Sequence, residues 1–134
     1  MKSEIETLQP EAVWRHFSAI CKIPRPSGHL EKITQYILDF GKNLGLETVL
    51  DKAGNVLIRK PATPGMENRK PVVLQGHMDM VPQKNADKVH NFETDPINSY
   101  IDGEWVTANG TTLGADNGIG ISSILAILES ETLK

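Results

Sequence analysis

The sequence predicts an α/β fold in which helices cover a mixed sheet. Apolar residues recur at intervals of three and four in residues 13–21, 30–44 and 119–128, which is the spacing of helices. Between these segments lie short runs rich in β-branched residues, bounded by glycine, proline and aspartate, as is typical of strands. The 134 residues, 39% of them hydrophobic, are enough for one modest domain with its own core.

The first helix is expected to start near Pro10, because the first helical turn accepts proline. It should end before Pro24, since a proline cannot extend it. His16 lies beside its apolar stripe. We interpret His16 as structural, because nothing nearby in the sequence completes a site.

A second helix and a hairpin are expected next. Ser27 or Gly28 can cap this helix at its start, and Gly45 should end it. Residues 46–50 and 55–59 then form two strands, and the short turn between them predicts an antiparallel hairpin.

Residues 71–81 are predicted to form the central strand. The segment is almost entirely apolar up to Gly76, which favours burial on both faces inside a helix-covered sheet. His77 and Asp79 follow, two positions apart. Because side chains alternate across a strand, these two should leave its end on the same side.

This spacing of His77 and Asp79 suits a metal site. A ligating imidazole usually donates its second ring N–H to a carboxylate, which fixes the tautomer and strengthens the metal-facing nitrogen. His77 would then be the ligand and Asp79 its support. The alternative is a solvated strand end with a chance hydrogen bond, and the spacing alone does not separate the two interpretations.

A second acidic element lies in residues 110–120, where Asp116 occupies a glycine-rich turn before an apolar helix. Glycines let the backbone approach a ligand closely, and a carboxylate there can bridge cations. The helix is apolar on most sides and is expected to pack under the sheet. A phosphate-binding loop is a poorer interpretation, because no Lys-Ser or Lys-Thr follows Gly118 or Gly120.

The two acidic elements are separated by a loop and a second hairpin. Residues 82–95 are polar, and we expect an exposed, mobile loop near the site. His90 within it is interpreted as an exposed histidine in preference to a ligand. Asp102-Gly103 between residues 97–101 and 104–107 is a strong hairpin signal.

Charge and composition favour small molecules as partners. The formal net charge is −3 and the basic residues are scattered, so neither nucleic acid nor an anionic membrane is expected to bind. A single cysteine, Cys21, excludes an internal disulfide and fits a reducing cytoplasm. No apolar run approaches the ~20 residues of a membrane span, and residues 1–4 do not resemble a signal peptide, so we expect a soluble cytoplasmic protein.

Several separated motifs, in this order, resemble a known family of enzymes. The chain is similar to the amino-terminal part of the aminoacyl-histidine dipeptidases, within the dinuclear zinc peptidase superfamily of carnosinases, aminoacylases and carboxypeptidase G-like enzymes. The residues that carry the resemblance are Trp14, Ile23-Pro24-Arg25-Pro26-Ser27, Gly54-Asn55, Leu74-Gln75-Gly76-His77-Met78-Asp79-Met80-Val81 and Leu113-Gly114-Ala115-Asp116-Asn117-Gly118.

The resemblance implies a zinc-exopeptidase-like catalytic domain, of which residues 1–134 form the amino-terminal part. It implies that His77 binds one zinc ion, that Asp79 has a catalytic role by orienting His77, and that Asp116 bridges two zinc ions, which Co or Mn can replace. The Asp116-Asn117 peptide is often cis in such enzymes. The implied substrate is a small peptide of the Xaa-His type, and the implied assembly is a homodimer formed through a lid or dimerisation domain absent here.

The site predicted in this sequence is incomplete. A catalytic zinc takes about three protein ligands, so two ions that share one bridge need about five, whereas two are evident here. No motif places a glutamate as general base. We therefore expect a longer enzyme that hydrolyses dipeptides through a water bridging two zinc ions, with this chain inactive alone. The alternative is an inactive module that binds metal or a protein partner.

Overall fold

The computed structural model describes residues 2–134, so Met1 of the opening segment lies outside the described residues. A short 3-10 helix at Glu4–Thr7, which we did not predict, precedes the main elements. In chain order these are α1 (Glu11–Cys21), α2 (Glu31–Asn43), β1 (Glu47–Leu50), β2 (Val56–Arg59), β3 (Ser99–Asp102), β4 (Trp105–Ala108) and α3 (Ala115–Glu129). The mixed α/β class is confirmed.

The predicted cap of α2 is wrong. Leu30 occupies the N-cap position without a side-chain hydrogen bond, and the helix begins at Glu31. Ser27 is unavailable as a cap because its hydroxyl donates to the Asp79 carboxylate. Gly28 adopts a positive φ of 91° within the preceding turn. The predicted end of α2 is confirmed, since Gly45 follows the helix with a φ of 71°.

Both predicted hairpins are present as separate two-stranded antiparallel sheets. In the first, β1 pairs with β2 so that Glu47 faces Arg59. In the second, β3 pairs with β4 so that Ser99 faces Ala108, and Gly103 supplies the positive φ of the connecting turn. Between the hairpins, residues 82–95 are irregular and mostly exposed, as predicted.

The predicted central strand is wrong for the described residues. Residues 71–79 are not in a strand, and Val72 and Val73 are 79% and 86% exposed. The segment makes one isolated parallel bridge, between Pro26 and Met80. An apolar run becomes a buried strand only when neighbouring strands pair with it. Within residues 2–134 the two hairpins form separate sheets and leave the segment unpaired.

The core forms where α1 packs against α3, so α3 does not lie under a sheet as we expected. Helix α1 contributes to two buried clusters, one toward the second hairpin and one between the helices. The first holds Ile5, Phe17, Cys21, Met80, Ile97 and Ala108, and the second Ile20, Ile33, Ile37, Ile121 and Leu125. Burial raises the pKa of the Cys21 thiol to about 11.

In residues 2–134 no helix is long and apolar enough to cross a bilayer.

His16 is buried within this packing, which agrees with its structural interpretation. Its ring meets Phe40 edge-on with centroids 5.4 Å apart. Its Nε2 atom lies 3.1 Å from Glu129 Oε1 without forming a hydrogen bond of acceptable geometry. Burial lowers the pKa of His16, and the nearby Glu129 carboxylate opposes that shift.

Candidate metal centre

Three residues that the sequence singled out meet at one point of the structure. His77 Nδ1 lies 2.8 Å from Asp79 Oδ1, and His77 Nε2 lies 2.9 Å from Asp116 Oδ1. The imidazole therefore stands between two carboxylates, one on each ring nitrogen. The first contact is local, whereas the second joins two distant parts of the chain.

Asp116 reaches this point because the start of α3 is irregular. Gly114 precedes the helix in a left-handed conformation, with a φ of 75°. Asp116 and Asn117 depart from helical dihedral angles, and the peptide bond between them is cis, as the resemblance implied. The Asp116 side chain lies at the helix end, where it is 95% exposed and faces His77.

Asp79 is held from two sides. Ser27 Oγ donates a hydrogen bond of 2.5 Å to Asp79 Oδ2, which leaves Oδ1 to face the His77 ring. The Ser27 hydroxyl is the largest cause of the lowered pKa of Asp79, and the bond to His77 lowers it further. Asp79 is thus kept ionised and in a fixed orientation. Both are needed if its carboxylate is to accept the Nδ1–H bond of a histidine that binds a metal.

The charge state of His77 follows from its neighbours. The contact with Asp116 is the largest cause of the raised pKa of His77. Burial, the second-largest cause, lowers this pKa, and the bond to Asp79 raises it again. Without a metal, both ring nitrogens are therefore favoured as N–H donors to the carboxylates. A cation between Nε2 and Asp116 would replace the Nε2 proton, while Nδ1–H would continue to donate to Asp79.

The donor set fits one side of a zinc site. Imidazole nitrogen and carboxylate oxygen are both zinc ligands, and His77 and Asp116 present one of each to a common point. The site is open to solvent, since the His77 side chain is 51% exposed. Across residues 2–134, however, no group of three or more His, Cys, Asp or Glu side chains is arranged to hold a metal.

Two residues near the site were missed as functional candidates. Ser27 orients Asp79, and the buried Arg25 side chain donates hydrogen bonds to main-chain carbonyls of the segments that carry the site. Both belong to residues 24–28, a proline-rich turn in which the sequence analysis assigned only the end of the first helix and a possible cap of the second. The only signal was that this turn is among the motifs that carry the resemblance.

His90 is half-buried, so its interpretation as an exposed loop histidine needs correction. Its ring packs edge-on against Phe92 with centroids 4.5 Å apart, and its Nε2 atom has no hydrogen-bond partner among residues 2–134. None of the hydrogen bonds that join His77 to the two carboxylates includes it.

The chain is similar to two known proteins over nearly its whole length. No family model matches the chain. The sequence is 60% identical over 131 residues to the cytosol non-specific dipeptidase of Escherichia coli strain K12, a match that covers 98% of this chain and 27% of that protein. The predicted resemblance is confirmed. The chain thus spans about a quarter of the length of the curated relative that it matches.

A solved structure gives the same result. The crystal structure of aminoacylhistidine dipeptidase from Vibrio alginolyticus matches with a TM-score of 0.97 and 60% sequence identity, over 98% of this chain and 27% of that chain. At this level of similarity, the backbone that carries His77, Asp79 and Asp116 follows the backbone of the dipeptidase.

Proposed function

We propose that this chain supplies part of the active site of a dinuclear metallo-dipeptidase that hydrolyses dipeptides, with those of the Xaa-His type as substrates. The observation that carries the proposal is the placement of His77 between Asp79 and Asp116. It is supported by the similarity of nearly the whole chain to proteins named as dipeptidases.

Each of the three residues has a separate role in this proposal. His77 Nε2 would be a ligand of one of two zinc ions, and the Asp116 carboxylate would be a ligand shared by both. Asp79 accepts the Nδ1–H hydrogen bond and so aims Nε2 at its ion. When bound, the zinc ions would polarise the peptide carbonyl and lower the pKa of a shared water.

The remaining ligands and the general base come from sequence outside this stretch. Two donors are too few for a catalytic zinc, which takes about three protein ligands. The relatives are almost four times as long as the matched region, which covers 27% of each. The proposal includes a cytoplasmic protein that dimerises through a domain outside residues 1–134 and that binds small peptides in preference to nucleic acid or membranes.

A second candidate is an inactive module that binds metal or a protein partner. The observation in its favour is that residues 2–134 contain no complete metal site. It predicts weak divalent-metal binding without turnover. The dipeptidase proposal predicts hydrolysis once the rest of the natural polypeptide is present.

The experiment uses the longest natural polypeptide that contains this chain. After chelation, zinc, cobalt or manganese is returned, and the hydrolysis of a dipeptide series that includes Xaa-His members is followed. We expect metal-dependent hydrolysis that His77→Ala abolishes. His29→Ala is the matched control, because His29 is an exposed histidine outside the site. Undiminished hydrolysis by His77→Ala would contradict the assignment.

A further inference from the structure

Arg25 is a buried arginine whose side chain, within residues 2–134, hydrogen-bonds only to main-chain carbonyls. It is 2% exposed. Its Nη1 atom donates to the carbonyls of Met78 and Asp79, at 3.0 and 3.2 Å, and Nη2 donates to the carbonyl of Gly114, at 2.7 Å. Among residues 2–134, Nε has no hydrogen-bond partner. The guanidinium thus joins two segments that the sequence keeps far apart.

We propose that Arg25 is a positioning residue that sets the distance between the two halves of the metal centre, an inference that rests on the proposed function. Met78 and Asp79 immediately follow His77, and Gly114 lies two positions before Asp116. A guanidinium is planar and rigid, so donors on its two Nη atoms hold the three carbonyls in a fixed arrangement. Lysine, with one nitrogen on a flexible stem, cannot reproduce it.

Two glycines leave room for the guanidinium. A Cβ atom added at Gly114 would lie 2.6 Å from Arg25 Nη2, and one added at Gly118 would lie 2.7 Å from the same atom. Gly114 also has a positive φ, but Gly118 does not. At Gly118, the absence of a side chain is therefore explained by close packing of the helix start against Arg25 and the Phe17 ring.

Main-chain hydrogen bonds tie Arg25 to the same two segments. The Met80 amide donates a hydrogen bond of 3.0 Å to the Arg25 carbonyl. Arg25 is therefore hydrogen-bonded to residues 78–80 through both its main chain and its side chain. The Gly114 carbonyl accepts a second bond, of 3.0 Å, from the Gly118 amide. The amides of Met80 and Gly118 therefore report on the two segments that Arg25 joins.

The first test is amide hydrogen exchange in the metal-free, full-length protein. Arg25→Lys is expected to speed exchange at both Met80 and Gly118 by about tenfold or more, as expected for loss of a hydrogen bond to a charged group. Ile33→Val, in the core between the helices, is the control for general destabilisation. The proposal would be overturned if exchange at the two amides rises no more in Arg25→Lys than in the Ile33→Val control.

The second test is zinc affinity, measured in the same proteins by competition with a coloured chelator. Arg25→Lys should weaken zinc binding by about tenfold to a hundredfold, the usual effect of losing support behind a ligand. It should also alter the absorption spectrum of bound cobalt. Unchanged affinity and spectrum would refute the role of Arg25. If the wild type binds no zinc, the proposed function fails, while hydrogen exchange still tests whether Arg25 joins the segments.

A second variant covers the case in which Arg25→Lys does not fold. Gly118→Ala keeps the arginine but crowds Nη2, and Gly118 needs no positive φ. We expect the same faster exchange at Met80 and the same loss of zinc affinity. Wild-type values for both would overturn the proposal, because they would show that crowding the guanidinium disturbs neither the segment at Met80 nor the metal centre.

Discussion

His77 Nε2 lies 2.9 Å from Asp116 Oδ1, although the two residues are 39 positions apart in the sequence. Neither residue makes a metal site alone. They meet because the packing of α1 against α3 fixes the start of α3, and because Arg25 binds the carbonyls beside both residues. The candidate site thus depends on tertiary structure more than on either local motif.

Asp79→Asn should weaken zinc binding while leaving the fold intact. The substitution keeps the shape of the side chain but removes the charge that supports the Nδ1–H donor of His77. Loss of such a partner typically lowers metal affinity by about tenfold to a hundredfold. Titration with zinc against a competing chelator measures the effect. Asp87→Asn, in the exposed loop, is the control, and equal affinities of the two variants would contradict the role of Asp79.

Ser27→Ala should raise the pKa of Asp79. The Ser27 hydroxyl is the largest cause of the lowered value in the native state. A lowered native pKa means that ionised Asp79 stabilises the fold above its unfolded pKa, and that this stability is lost as the pH falls through the native pKa. In the variant the native pKa lies nearer the unfolded value, so this loss should be smaller and should end at a higher pH. Carbon NMR of the Asp79 carboxyl tests this, with Ser123→Ala as the control. An unmoved titration would refute it.

The buried His16 should make stability fall on mild acidification. Burial lowers its pKa, so between the native and the unfolded pKa the unfolded chain binds more protons. Stability is therefore full above the unfolded value of about 6.5 and declines as the pH falls below it. Urea unfolding at several pH values should show a smaller decline for His16→Gln. An identical decline in wild type and variant would contradict this, and His29→Gln is the exposed control.

Residues 1–134 expressed alone should self-associate. Val72 and Val73 are largely exposed and Leu74 is 45% exposed, which together give a continuous apolar segment without strand partners. Val73→Glu should reduce the association, because it places a charge in that segment. Light scattering across a concentration series measures the effect. A wild-type chain that stays monomeric would contradict the prediction.

The sequence predicted the parts of this structure that depend on local chemistry. Asp102-Gly103 predicted the second hairpin, and Pro10 and Gly45 marked helix ends, because turn and cap preferences are properties of a few adjacent residues. His77 and Asp116 were recognised from their motifs, although their contact could only be seen in the structure.

The errors have a common physical cause, which is a partner distant in sequence. Ser27 was assigned to a helix cap, but its acceptor, Asp79, lies 52 positions away. Arg25 is charged and lies between two prolines, which is typical of an exposed turn. In the structure it is buried, because three main-chain carbonyls distant in sequence accept its hydrogen bonds. The apolar segment 72–74 predicted a buried strand, but burial requires neighbouring strands, which residues 2–134 do not supply.

The most direct test of the metal-centre account is anomalous X-ray scattering at the zinc edge. It requires crystals of the longest natural polypeptide that contains this chain, grown with zinc. We expect a zinc ion at about 2.0–2.2 Å from both His77 Nε2 and an Asp116 carboxylate oxygen, with Asp79 still hydrogen-bonded to Nδ1. Zinc bound elsewhere, with His77 and Asp116 left in direct contact, would contradict it.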